Sequence, residues 1–304
     1  METIDISKYE ENRFNTAVAL GNFDGIHIGH QQLIKTMVER SKELSLNNSL
    51  LLFRNHTKTV IDHNRPKVIT NNDQKLKIAK DLGVNLIYTM DFNEEVMKLS
   101  GEEFVKNILL DRIKAKLLVV GFDYRFGYKA SGNADYLKEL GNKFNFQVEV
   151  VRPVYENDQI VSSTTIRNLI SEGRIREANN MLGRDYTLIG TVISGKNRGN
   201  KLGFPTANID PIDNYVLPKT GVYKTNTIID GCKYLSVTNI GYNPTFNEDI
   251  LKIESHILEF SDNIYGKKLE IELIDYIRED IKFTNKDELI YQINKDIELA
   301  KKTY

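Results

Sequence analysis

TAVALGNFDGIHIGHQQLI, residues 16–34, sets an apolar run beside a glycine-punctuated turn and then an amphipathic stretch that carries His27 and His30 near its start. The run TAVAL (16–20) reads as a buried strand, and Leu33, Met37 and Val38 mark the apolar side of a helix that follows. A strand that passes through such a loop into a helix offers backbone N–H groups and the positive end of the helix dipole to an anion. Gly21 and Gly25 permit close approach of the chain to phosphates, and two imidazoles three residues apart can donate hydrogen bonds to a phosphoryl group as charge builds on it. Standing alone, the same HxxH spacing also fits a helix cap or a pair of metal ligands.

Outward from this stretch the rhythm repeats. SLLLF (49–53), NLIYTM (85–90), KLLVVG (116–121) and QVEVV (147–151) are short apolar runs of the kind found in buried parallel strands. Amphipathic segments lie between them, and Ser100 with Glu103 forms a capping box ahead of Phe104, Ile108 and Leu109. The pattern predicts an α/β domain, a Rossmann-like parallel sheet with right-handed crossovers. After Gly183, which reads as the C-cap of a helix ending in ANNML, the period changes. TLIGTVIS, GVYKTNTII, KYLSVTNIG, KIESHILEF and KKLEIELIDYI are strand-like and separated by turns, which predicts a small β-barrel. From Asn285 onward, Leu289, Ile293, Ile297 and Ala300 recur at helical spacing, so a terminal helix is expected on the barrel. The change of period places the domains at 1–183 and 184–304.

With 304 residues, 40% hydrophobic and 27% charged, the chain suits two globular domains. A net charge of −1 supplies no general attraction to nucleic acid or to an anionic membrane, so phosphates must be met by local sites. METIDISKYEENRF at the start lacks the basic and apolar regions of a signal peptide, and nowhere do enough apolar residues run together to span a bilayer. Cys232 is the one cysteine and cannot form an internal disulfide. The expectation is a cytoplasmic protein, a monomer or weak oligomer, without a nucleic-acid or membrane partner.

A second constellation lies in GTVISGKNRGNKLGFPTANI (190–209), where a strand leads into a loop holding Gly195, Lys196, Arg198, Gly199, Lys201 and Gly203. Glycines interleaved with cations suit a phosphate cradle, although GxxxxGK[ST] is absent. Thr206 and Asn208 alternate along an extended segment and can point the same way, offering a hydroxyl and an amide oxygen to Mg²⁺. Glu254 sits in a largely apolar strand with His256 on the same face.

GNFDGIHIGH resembles the GxFDGxHxGH signature of the HxGH nucleotidylyltransferases, specifically the N-terminal module of bacterial bifunctional riboflavin kinase/FMN adenylyltransferase. VGFDYRFG (120–127) and SSTTIR (162–167) match later motifs of that module; PTAN, VTNIGYNPTF (237–246), IESHILEF (253–260) and YIREDIKF (276–283) match its kinase partner. The resemblance implies FMN formation from riboflavin and ATP in the C-terminal part, then FAD formation from FMN and ATP in the N-terminal part, with Mg²⁺. It implies ATP contacts from the HxGH loop (Gly21, Asn22, Phe23, Asp24, Gly25, His27, His30) and from Ser163, Thr164 and Arg167, with Asp123, Arg125 and Phe126 towards FMN. In the kinase part it implies Thr206 and Asn208 on the metal and Glu254 as catalytic base. ATP or flavin contacts are implied for Gly195, Lys196, Arg198, Lys201, Gly203, Pro205 and Arg278. Two segments depart from the pattern. FRNHT (53–57) keeps Phe53 and His56 of FxPHP but has Asn55 and Thr57 for its prolines, which leaves a loop with more conformations to exclude. Asn200 stands where an arginine is general, with Arg198 and Lys201 nearby to supply charge.

Overall fold

Strands that are apolar at every position must be covered on both faces, and Thr16–Leu20 is buried throughout. The computed structural model describes residues 1–7, 14–55, 66–195, 199, 202–243 and 248–302. The chain divides into two compact units, Met1–Pro66 with Thr70–Ser162, and Lys67–Ile69 with Ser163–Tyr304.

The first unit runs β1 (Glu2–Asp5), β2 (Thr16–Leu20), α1 (Ile28–Glu43), β3 (Asn47–Phe53), α2 (Asn72–Asp81) and β4 (Leu86–Met90), then α3 (Glu94–Lys98) and α4 (Gly101–Glu103). It continues with β5 (Ala115–Gly121), α5 (Ala134–Phe144), β6 (Gln147–Val151) and a hairpin of β7 (Tyr155–Glu156) and β8 (Gln159–Ile160). Six parallel strands form one sheet in the order β1-β4-β3-β2-β5-β6. The pleat of β2 sends Ala17 and Ala19 to one core, with Leu33, Ile34 and Met37 of α1, and Val18 and Leu20 to the other, with Phe104, Ile108 and Leu137. β1 is too polar to be read as a strand from its sequence; backbone pairing to β4 is what makes it one. The predicted capping box at Ser100 and Glu103 is present, but Phe104–Leu110 continues as a π-helix. Its wider turn brings Phe104, Val105, Ile108 and Leu109 together on the buried side.

The second unit opens with α6 (Ser163–Ser171) and α7 (Ile175–Leu182), which ends at Gly183 in the left-handed region (φ 68°). Then come β9 (Tyr186–Ile193), β10 (Ala207–Pro211), β11 (Gly221–Ile229), β12 (Cys232–Asn243), β13 (Glu248–Ile257) and β14 (Lys268–Arg278). They close an antiparallel barrel in the order β10-β13-β12-β11-β14-β9. Asn179 of α7 bonds to two paired strands of the barrel, donating to the Leu273 carbonyl of β14 at 2.9 Å and accepting from the Tyr186 N–H of β9 at 2.8 Å. The barrel interior includes five fully buried hydroxyl side chains, Thr225, Thr227, Ser236, Thr238 and Ser255. They bond to one another across β11, β12 and β13 at 2.7 to 3.2 Å.

The terminal helix α8 (Lys286–Lys301) starts at Asn285, whose side chain accepts from the Glu288 N–H. It lays Ile297 and Ala300 on Val222 and Val237 of the outer barrel face. Arg278 of β14 grips Asp296 of α8 through Nε and Nη2 at 2.8 to 3.1 Å, and Gln292 donates to the same carboxylate. This fork is nearly out of water, with side-chain exposure of 18% for Arg278 and 3% for Asp296. Losing one partner of a buried pair strands the other charge. Asp296→Ala is therefore expected to destabilise this unit by about 3–5 kcal/mol, read as a lower denaturation midpoint, and the double change Asp296→Leu with Arg278→Met to recover most of the loss.

Candidate functional site

In the first unit the chain goes from β2 to β3 and β4 on one side, then crosses back from β4 to β5 on the other side of β2, so the sheet changes direction at the β2/β5 boundary. Crevices at the carboxyl ends of strands at such a point are where open α/β sheets bind ligands. GNFDG leaves β2 there and GFDYRFG leaves β5. The first loop is strained: Phe23 (φ 49°), Gly25 (φ 84°) and Ile26 (φ 34°) all take left-handed backbone, which is costly for a β-branched residue. Thr70 holds it. The Gly25 N–H donates to Thr70 Oγ1 at 2.9 Å, and the Thr70 N–H donates to Oδ1 of the buried Asp24 at 3.1 Å.

His27 caps α1 by accepting the His30 N–H on Nδ1 at 3.3 Å. In a neutral ring that acceptor role leaves the proton on Nε2, which is then a donor. The two imidazoles stack with centroids 3.7 Å apart, and Phe23 lies 5.3 Å from the His30 ring. His30 Nδ1 is buried without a hydrogen-bond partner. Burial first, then the neighbouring His27 and Lys75, holds its pKa well below the ordinary histidine range, so this ring is neutral. Among the described residues, no group of three or more His, Cys, Asp and Glu is arranged to hold an ion.

In the barrel, strand register assembles the other group. Asn208 of β10 lies opposite Glu254 of β13, and Glu254 lies opposite Asn239 of β12. Continuing along the row, Asn239 faces Val222, and Val222 faces Arg278. Ala207, Ile209, Ile253 and Ser255 point inward and are buried, which leaves Thr206, Asn208 and Glu254 on the outer face, half-buried. Asn239 Oδ1 is buried with no hydrogen-bond partner. His256 Nδ1 lies 2.8 Å from the Pro205 carbonyl and its ring meets Phe204 edge-on at 5.7 Å. That contact fixes the turn before Thr206. Gly195 presses its backbone on the Asn208 amide, leaving an added Cβ 2.2 Å from Nδ2. A hydroxyl, two amide oxygens and a carboxylate form an oxygen-only donor set of the kind Mg²⁺ takes.

Two family models match. One, described as FAD synthetase, covers residues 9–165; the other, described as riboflavin kinase, covers 182–304. A bifunctional riboflavin kinase/FMN adenylyltransferase of Buchnera aphidicola is 37% identical over 95% of this chain and 94% of that protein. One from Listeria monocytogenes is 37% identical over 96% and 93%. The chain belongs to the bifunctional riboflavin kinase/FMN adenylyltransferase family. A solved structure from Streptococcus pneumoniae, described as a macrolide-efflux protein, matches 99% of both chains at 31% identity with a TM-score of 0.91. Transport is named for that protein; here, among the described residues, no helix is long and apolar enough to cross a membrane.

With the family known, the expected residues divide by setting. Asn22, Asp123 and Arg125 are exposed at the loop tips of the first unit. Phe23 and Phe126 are core residues; Phe126 stacks between Tyr124 at 5.7 Å and Tyr136 at 6.0 Å, so its ring shapes the loop from within. Asp24 serves the Thr70 brace. Gly21 packs its backbone on the Phe23 ring. Ser163, Thr164 and Arg167 open α6, where Arg167 Nε donates to the Lys67 carbonyl at 3.3 Å. In the barrel unit, Gly203 takes a left-handed turn (φ 85°) and Pro205 is exposed. Arg278 is paired with Asp296. His56, Lys196, Arg198 and Lys201 lie outside the described residues. Sequence reasoning missed Thr70, Lys75 and Asn239. Lys75, 8% exposed, could have drawn notice as a lysine on the apolar side of α2, and Asn239 lies inside the motif VTNIGYNPTF (237–246); Thr70 carries no signal of its own.

Two outcomes follow from these settings. His30 has a depressed folded pKa, so below about pH 6.5 the unfolded chain takes up a proton that the folded one refuses. Stability of the first unit should therefore fall with acidification, by at most about 1.4 kcal/mol per pH unit from this group, and His30→Asn should flatten that part of the slope in denaturant titrations. In the second unit, Gly195→Ala should displace the Asn208 amide and lower riboflavin phosphorylation at least roughly tenfold, with FAD formation from supplied FMN unchanged.

Proposed function

We propose that the two units carry out consecutive ATP-dependent steps, riboflavin to FMN on the barrel and FMN to FAD on the parallel sheet. What carries this reading is the pairing of two separate constellations: stacked His27 and His30 at the head of α1, and Glu254 directly opposite Asn208 in the barrel wall.

In the first step the terminal ribityl hydroxyl attacks the γ-phosphorus of ATP. Glu254 accepts the hydroxyl proton, the γ-phosphoryl group transfers and ADP leaves. Thr206 and Asn208 would hold Mg²⁺, which when bound offsets phosphate charge; the orphaned Asn239 oxygen beside Glu254 suits the same donor set. His256 keeps the Phe204–Pro205 turn in place so that Thr206 and Asn208 stay on the outer face. In the second step an FMN phosphate oxygen attacks the α-phosphorus of ATP and pyrophosphate leaves, so no protein nucleophile takes part. His27 and the neutral His30 supply N–H donors to phosphate oxygens as charge grows on them, and the loop's backbone holds the triphosphate against α1. Ser163, Thr164 and Arg167 are assigned to ATP as well, and Asp123 and Arg125 to the flavin side. The small ligands are thus riboflavin, FMN, FAD and ATP.

The test is chromatographic separation of FMN and FAD after incubation with riboflavin, ATP and Mg²⁺. Glu254→Gln should lower FMN formation by about 10²–10⁴-fold while leaving adenylylation of supplied FMN near normal. His30→Ala should do the reverse. A folded variant of either kind that loses both steps would show that the sites are not independent.

A further inference from the structure

The carboxyl ends of β1, β4 and β3, three neighbours in the sheet, are tied together by one side chain. Arg54, the first residue after β3, grips Asp91 after β4 through Nε and Nη2, both at 2.8 Å. Its Nη1 lies 2.8 Å from Asp5 at the end of β1, and Nη2 also donates to Ser7 at 3.1 Å. The carboxylates beside it hold the guanidinium pKa above its ordinary value, and Arg54 in turn holds both aspartates below theirs. Beyond it, Asn55 makes a reciprocal pair with the next loop: its Nδ2 donates to the Phe92 carbonyl at 2.7 Å and its Oδ1 accepts the Phe92 N–H at 2.8 Å. Phe53 and Phe92 close the joint edge to face at 5.2 Å.

The joint reaches the phosphate loop by a short path. Asn72 Nδ2 donates to the Arg54 carbonyl at 2.9 Å; two residues earlier, Thr70 holds Asp24 and Gly25. β3 is also the strand paired directly with β2, so Arg54 and Asn55 leave the sheet beside the HxGH loop, on the side where ligands bind. Asn55 stands where the resembling sequences have a proline. A proline restricts the chain through its ring, unfolded as well as folded; an asparagine cannot, but two hydrogen bonds to a neighbouring backbone hold this position in the folded state. At Asn55, these two bonds act against the additional conformations that the absence of a proline leaves open.

We propose that Asn55, backed by the Arg54 clamp, is a positioning residue of the adenylylation site, fixing through Phe92 the point where the chain leaves β3 beside the HxGH loop. This rests on the adenylylation reading above. It acts on how the nucleotide is held, not on the chemical step.

Steady-state kinetics of FAD formation from supplied FMN provide the test. Asn55→Ala should raise KM for ATP about tenfold with a smaller change in kcat, because the two hydrogen bonds that fix the exit from β3 beside the HxGH loop are lost. Riboflavin phosphorylation by the same preparation should be unchanged. Asp91→Asn, which loosens an exposed ion pair and leaves the fold intact, should raise the same KM by a smaller factor, and added salt should shrink its difference from wild type. An unchanged KM for ATP in both variants, whether kcat is normal or reduced, overturns the proposal, since a purely structural loss lowers the active fraction without altering affinity. A wild-type chain that makes FMN but no FAD would instead remove the adenylylation reading beneath it.

Discussion

Two hydrogen bonds, from the Gly25 N–H to Thr70 Oγ1 and from the Thr70 N–H to Asp24, are what allow the chain to leave β2 as it does. Three nearby residues there take left-handed backbone, and Phe23 and Ile26 do so at a cost on the order of 1–3 kcal/mol each. Without a brace such a turn would relax, and His27 would no longer cap α1 or stack on His30. The brace is itself anchored, since Asn71 caps α2 in a box with Gln74 and so fixes Thr70 next to it. Strain in the loop and rigidity in the helix start are two halves of one arrangement. The functional histidines depend on both.

The barrel solves its placement problem by register. Side chains alternate between the two faces, so a slip of one residue in β13 would send Glu254 inside and Ser255 out. The hydroxyl cluster guards against that slip, because Ser255 finds Thr227 and Thr238 only in the observed register. Specific bonds inside the barrel therefore fix which groups appear outside it. Beside them, Arg278 and Asp296 lock α8 on the same outer face.

Much of this was legible beforehand, for identifiable reasons. Four of the six parallel strands are apolar on both faces and announce themselves; β6, at the edge, puts Gln147 and Glu149 on one face, and β1 is made by pairing alone and its residues give no sign. The barrel strands were readable from their alternation, and the HxGH and PTAN segments from residue types that few other structures need together. Contacts between distant residues were not readable. Asn239 became a neighbour of Glu254 only through the β12/β13 ladder, and Arg278 acquired Asp296 only when α8 folded back. Phe126 shows the converse, a motif residue whose ring belongs to the core. The prolines missing from FRNHT read as a loss, because nothing in the sequence says that Asn55 will meet Phe92.

The hydroxyl-lined interior also shapes how the barrel unit responds to temperature. Heat capacity rises on unfolding in proportion to the apolar surface exposed and falls with the polar surface. A barrel that buries Thr225, Thr227, Ser236, Thr238 and Ser255 where others bury aliphatic side chains exposes less of the former and more of the latter. Its stability curve is accordingly flatter than that of an all-aliphatic barrel of equal size, with a weaker decline towards the cold.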